Sequence, residues 1–142
     1  MQSSKFPIKV AIFSDIVRRE DNGKLMFIGT YGNKIGVPNF PAPFSGFFTL
    51  IVSADAEKLN SKLIRLVDQS KNVFFDAEFK FQIEPDETSA FGIIGPVFFQ
   101  INGPGQISLE IETKPNQWTP IENWQIEKTA ATGLFANTTL SS

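Results

Sequence analysis

The densest run of side chains able to do chemistry is Asp15, Arg18, Arg19, Glu20 and Asp21, near the start of a 142-residue chain. An arginine fork grips a carboxylate or phosphate through two parallel N–H···O bonds, so Asp15 with Arg18 is a candidate polar site. The competing reading is an ion pair within or across strands at a sheet edge, where charge discourages edge-to-edge association. The competing reading is favoured, because surface charges are common and individually contribute little. A second set of acids, Asp55, Glu57, Asp68, Asp86 and Glu87, falls at turns and could gather at one end of a sheet. Calcium takes roughly six to eight oxygen ligands, usually several from one loop. None of these loops carries the alternating Asp/Asn spacing that would supply them, so no metal site is expected.

The absent residue types constrain more. The chain has no histidine and no cysteine. That removes the usual general base, the commonest metal ligands, thiol nucleophiles and disulfides together. An enzyme would have to work with carboxylates, lysine or Tyr31 alone, as a carboxylate-pair glycosidase does. The expectation is no catalytic residue and no cofactor. Gly92 to Gly95 and Gly103-Pro104-Gly105 read as bulge and turn glycines, because neither a helix N-terminus nor a lysine follows to cradle phosphate. Asn137-Thr138-Thr139 matches a glycosylation triplet, read as chance in a chain without a secretory signal.

Aromatic residues offer a third candidate. Phenylalanine appears 15 times against 2 Trp and 1 Tyr. Phe has no polar tip, so most of these rings belong in an interior, and any left outside mark a contact surface. Prolines and aromatics alternate through Pro38-Asn39-Phe40-Pro41-Ala42-Pro43-Phe44, which reads as a crossing between sheets rather than a strand. Phe40, Phe44 and Trp118 form a candidate interaction surface. The competing reading has Phe40, Phe44 and Phe47 capping an open end of the fold.

The elements that must position these groups are strands. From Val73 to Ile83 the apolar residues Val73, Phe75, Ala77, Phe79, Phe81 and Ile83 alternate with Phe74, Asp76, Glu78, Lys80 and Gln82. A period of two means a half-buried strand with one wet face. Further strands span Phe6 to Phe13, Leu25 to Tyr31, Lys34 to Val37, Lys62 to Val67, Gln106 to Glu112 and Ile121 to Lys128, and Phe47 to Ser53 reads as a strongly apolar, central strand. Phe91 to Ile101 is apolar on both faces and broken by Gly95-Pro96, as two short pieces or one bulged strand. Asn22-Gly23 predicts a two-residue hairpin loop with Asp21 opposite Lys24. Asp55 to Ser61 reads as a loop or a single helical turn, Glu84 to Ser89 as a polar loop, and no longer helical period appears. Eight or nine short strands at even spacing predict an all-β antiparallel sandwich. One domain spans 1–128, and 129–142, rich in small and hydroxyl residues, reads as a flexible tail in which Leu134-Phe135 could dock.

A charged fraction of 20% and a hydrophobic fraction of 42% fit a globular domain rather than a disordered one. The net charge of −2 leaves no basic excess to neutralise a phosphate backbone, so nucleic acid is not an expected partner. No stretch approaches the ~20 apolar residues of a membrane span. The lack of a signal-like segment and of cysteine predicts a cytoplasmic protein.

The run Phe13 to Gly32, FSDIVRREDNGKLMFIGTYG, resembles the start of a family of small uncharacterised bacterial proteins classed as a domain of unknown function. Asp15, Arg18, Gly23, Lys24, Ile28, Gly29, Tyr31, Gly32, Pro38 and Pro41 fall on its pattern. The resemblance continues to about Lys128 and implies an immunoglobulin-like β-sandwich with no established activity. Where the family enters its penultimate strand with Gly-Glu-Tyr, this chain has Gly105-Gln106-Ile107, losing any hydrogen bond that tyrosine would make.

The functional expectation is a non-enzymatic interaction module that binds another protein or itself. One alternative is a structural subunit of a larger assembly, phage-derived or part of a secretion particle, whose tail orders on assembly. Another is a carbohydrate-binding module built on Trp118, or an enzyme using carboxylates only.

Overall fold

Period-two alternation recurs along the chain, and each such run pairs with a neighbour to bury its apolar side. The computed structural model describes residues 8–22, 24–53, 61–80 and 89–129. Nine strands form: β1 (Ile8–Arg19), β2 (Leu25–Thr30), β3 (Lys34–Val37), β4 (Ala42–Ser53), β5 (Ser61–Asp68), β6 (Val73–Lys80), β7 (Ser89–Ile101), β8 (Gly105–Lys114) and β9 (Gln117–Lys128). They make an all-β sandwich of a four-stranded sheet, β2-β1-β4-β7, and a five-stranded sheet, β3-β9-β8-β5-β6. Every pairing is antiparallel except β3 with β9.

The core is a stack of rings. Phe13 of β1 lies 4.4 Å from Phe48 in a stacked pair and 4.4 Å from Tyr31, with Trp124 edge-on at 5.9 Å. Phe44 stacks on Phe99 at 5.4 Å. Ile64, Leu66, Ile107, Leu109, Ile111 and Ile126 close the opposite layer. Burying each such side chain contributes about 1.5–3 kcal/mol, so this layer holds the two sheets together.

Several expected details differ, each for a local reason. Pro43 and Phe44 lie inside β4, whose first residues pair with β7 from Ala42 onward. The β1–β4 ladder runs only from Phe47 to Val52, so a proline at position 43 removes no bond on that side. β9 starts at Gln117 and includes Pro120, which sits opposite Glu110 at a register shift. Val73 faces outward rather than inward. Leu66 pairs with Phe75 but Val67 with Val73, so the extra residue, Phe74, breaks the alternation and turns Val73 to the outer face. Phe74 instead leans on Phe99, ring centres 5.6 Å apart.

The first hairpin is one residue longer than its sequence suggests. Arg19 pairs with Leu25, and the Glu20 N–H donates to the Lys24 carbonyl at 2.7 Å. Lys24 therefore faces Glu20, not Asp21. At the other end of the domain, the Thr129 N–H donates to the Val37 carbonyl at 2.8 Å. The chain is thus tied down one residue into the expected tail. Residues 130–142 of the expected tail, 54–60, expected as a loop or helical turn, and 81–88, expected as strand end and polar loop, lie outside the described residues.

Candidate functional site

Asp15 does not meet Arg18. Three positions apart on one strand, they leave opposite faces. Asp15 instead accepts a hydrogen bond from the Tyr31 hydroxyl at 3.2 Å, and its carboxyl lies over Gly29. A Cβ at position 29 would push against that carboxyl, and the backbone there has φ +70°, a left-handed conformation that favours glycine. Burial raises the Tyr31 hydroxyl above its ordinary pKa, and the charge and hydrogen bond of Asp15 add to the shift. The phenol stays protonated and remains a donor. Asp15, Gly29 and Tyr31 form a clasp at the base of the hairpin, joined to the core by the Tyr31–Phe13 stack.

Beyond this clasp the hairpin curls back. The Arg19 guanidinium lies 5.2 Å from the centre of the Phe91 ring. Phe91 pairs with Ile51, and Ile51 with Val10. A straight strand would carry Arg19 about 30 Å past Val10, so the hairpin must fold over the outward face of its own sheet. Ser14 and Thr49, on outward positions of β1 and β4, are buried. The Ser14 hydroxyl donates to the Ile16 carbonyl at 3.2 Å, whereas the Thr49 hydroxyl has no hydrogen-bond partner among the described residues.

The remaining outward surface of this sheet mixes exposed polar residues, Arg18, Thr30, Ser45 and Gln100, with exposed apolar ones. Ile16 and Ile28 pair across the hairpin at 45% exposure each, with Met26 beside them at 41%. Val10 and Ile93 are also exposed, and Phe98 on the edge strand β7 is 74% exposed.

The outward face of the five-stranded sheet carries the opposite arrangement. Glu110 of β8 is only 1% exposed although it points away from the core. Its carboxylate takes Arg65 from β5 at 2.9 Å and Lys71 from the β5–β6 turn at 2.8 Å. Arg65 in turn lies 4.0 Å above the Trp118 ring of β9, a cation–π stack. Burial acts to raise the pKa of Glu110, but the hydrogen bonds and charges of Lys71 and Arg65 outweigh it and hold the acid below its ordinary value. Nearby, the Ser108 hydroxyl donates to the Asn123 side-chain oxygen at 2.6 Å.

The candidate surface of Phe40, Phe44 and Trp118 is not brought together. Phe44 is buried in the core, Phe40 packs half-buried against it, and Trp118 lies on the far sheet with one ring face covered by Arg65. Sequence reasoning missed Phe98, whose exposure depends on the bulged register of β7, and the Glu110 cluster, whose members lie up to 45 positions apart. A cleft of about 230 Å³ between Asp68, Phe74, Asn102, Pro104 and Gln106 opens at one end of the sandwich. Asp68 is already engaged by the N–H groups of Ser70 and Asn72, both at 2.9 Å. Among the described residues, no group of three or more acidic side chains is placed to hold a metal ion. None of their helices is long and apolar enough to cross a membrane, which says nothing of a β-barrel.

The chain matches a family model over residues 9–121, a span that takes in the clasp, the Glu110 cluster and Phe98. It belongs to the family of unknown function DUF6941. No curated protein and no solved structure matches it. Within the DUF6941 span, the residues that carried the resemblance in sequence, Asp15, Gly29 and Tyr31, turn out to touch one another. They form a clasp that holds a hairpin.

Proposed function

We propose that this protein is a non-enzymatic interaction module that docks a protein on the outward side of its four-stranded sheet. The observation that carries the reading is Phe98, a full phenyl ring left 74% exposed on the edge strand β7. Aromatic rings are enriched among the anchors of protein interfaces. The state of the acids supports the non-enzymatic part. Glu110 is held by two cations, Asp68 by backbone N–H groups, and Asp15 by a tyrosine. A carboxylate so engaged is a poor general base. The strand order, with β9-β8-β5-β6 facing β1-β4-β7, also favours an immunoglobulin-like classification. The lack of cysteine favours a reducing, cytoplasmic setting.

The test is Phe98→Asp in the full chain. Proteins retained from host lysate by wild type are identified, purified and titrated against both versions by calorimetry. At least a tenfold loss of affinity for the variant is expected. Equal affinity of both versions for every purified partner would remove the reading.

A further inference from the structure

A sheet edge is an open row of N–H and C=O groups, and folded proteins blunt such rows with charge, proline, bulges or brevity. Three of the four edges of this sandwich are blunted. β3 has four residues, starts with Lys34 and runs into Pro38. β6 presents the exposed charges Asp76 and Glu78 and pairs through a bulged register. β7 carries Pro96 in mid-strand. The fourth edge, β2, reads Leu25-Met26-Phe27-Ile28-Gly29-Thr30, with neither charge nor proline, and its regular row runs from Leu25 to Ile28 before the left-handed Gly29 at φ +70°. Among the described residues it pairs only with β1.

We propose that the free edge of β2 pairs antiparallel with β2 of a second copy of this chain, about a two-fold axis through Phe27. This register is self-complementary. It sets Met26 against the partner's Ile28, and Ile28 against the partner's Met26. Each of these side chains is outward and exposed, at 41% and 45%. With Ile16 beside Ile28 and Arg18 beside Met26, each outward row reads Ile16, Ile28, then the partner's Met26 and the partner's Arg18. Opposite side chains in such a ladder interact directly, and like charges facing each other would oppose it. No like charges meet here, since Lys24 falls opposite the partner's Thr30. Pairing satisfies the open backbone row and extends the hairpin into a four-stranded ribbon, the mode of strand addition. An edge this short buries less than the ~1,200 Å² of a standard interface, so the dimer is weak and concentration-dependent.

The dimer is one form of the interaction module proposed above, resting on that reading, but it fails separately. Sedimentation velocity of the full chain from about 10 µM to 500 µM tests it. Wild type is expected to shift from monomer to dimer. Met26→Glu/Ile28→Glu places carboxylates opposite one another twice and should weaken dimerisation at least tenfold. Met26→Lys/Ile28→Glu places lysine opposite glutamate twice and should restore it to within threefold of wild type. Both positions are exposed, and matching thermal melts of the three proteins at low concentration confirm that the fold is intact. A wild type that stays monomeric at 500 µM overturns the dimer, as does a dimer indifferent to the double glutamate. So does a lysine–glutamate variant no better than the double glutamate. A monomeric wild type that still binds a purified protein through Phe98 overturns only the dimer, and leaves the broader reading standing.

Discussion

On the outward face of the five-stranded sheet, Glu110 is 1% exposed, while on the outward face of the four-stranded sheet Phe98 is 74% exposed. Residue type alone would reverse them, since carboxylates are almost never fully buried and phenylalanines usually are. The difference lies in what crosses the sheet to meet each side chain. Glu110 sits on β8, an interior strand, directly opposite Arg65 and within reach of Lys71, with Trp118 roofing the arginine. Phe98 sits on an edge strand, and its one cross-strand neighbour is Ser45. The polar cluster of the first face is closed by its own side chains, while Leu63 and Val73 elsewhere on that face stay 43% and 48% exposed. The second is left open, with only the curled hairpin lying over part of it.

The sharpest way to break this contrast is to strand the buried acid. Arg65→Met keeps the aliphatic bulk over Trp118 but leaves Glu110 with one solvent-exposed cation. Removing one member of a buried ion pair costs about 3 kcal/mol or more, because the remaining charge is desolvated without compensation. Urea denaturation should show a loss of this size, and Arg65→Met/Glu110→Leu should recover most of it. A loss under about 1 kcal/mol for the single variant would mean that water reaches Glu110, erasing the difference between the faces.

Acidity acts on the same pair less severely. The folded state holds the pKa of Glu110 below its value in the unfolded chain, about 4.3. Its contribution is therefore fully present above the unfolded value and is lost as pH falls through the lower folded value. The urea midpoint should drop in wild type as pH falls below the ordinary carboxylate range. That drop should be shallower in Glu110→Gln. Identical slopes would show that other acids carry the pH dependence.

The sequence made the strands and their faces legible, but not which outward residues would be covered. The alternation from Gln106 to Glu112 correctly turns Glu110 outward; its burial comes from Arg65 and Lys71, about forty positions away. No local pattern carries that information. Likewise Val73 continues the alternation of its strand, but the single bulge at Phe74 reverses its face. The proline-rich segment misled because a proline reads as a strand breaker unless the ladder beside it is known to be absent, as it is at Pro43. The Asp15, Gly29 and Tyr31 pattern was visible as residue types. Its meaning as a clasp needed the φ of Gly29 and the hydrogen bond to Tyr31.

A smaller effect separates the two cations of the polar face. The Lys71 side chain is 62% exposed against 18% for Arg65, so its ion pair is screened and contributes about 0.5 kcal/mol. Lys71 also has φ 70°, a left-handed backbone that costs a non-glycine residue roughly 1 kcal/mol. Lys71→Ala should therefore lose about 0.5 kcal/mol, while Lys71→Gly should be neutral or slightly stabilising, because relief of the backbone offsets the lost pair. If both variants lost stability equally, the left-handed conformation would carry no cost here.

The smallest expected effect belongs to the open face. Phe98→Thr keeps a residue that favours strands at a position where the ring is mostly in water. The free energy of unfolding should change by no more than about 0.5 kcal/mol in either direction, as for surface substitutions generally. A loss above about 1.5 kcal/mol in dilute monomer would mean that the ring packs on its own domain and is no docking anchor. A null result on stability combined with a tenfold loss of binding would place the value of this ring wholly in what it touches outside the chain. Glu110 would then be its counterpart, with its whole effect inside the fold.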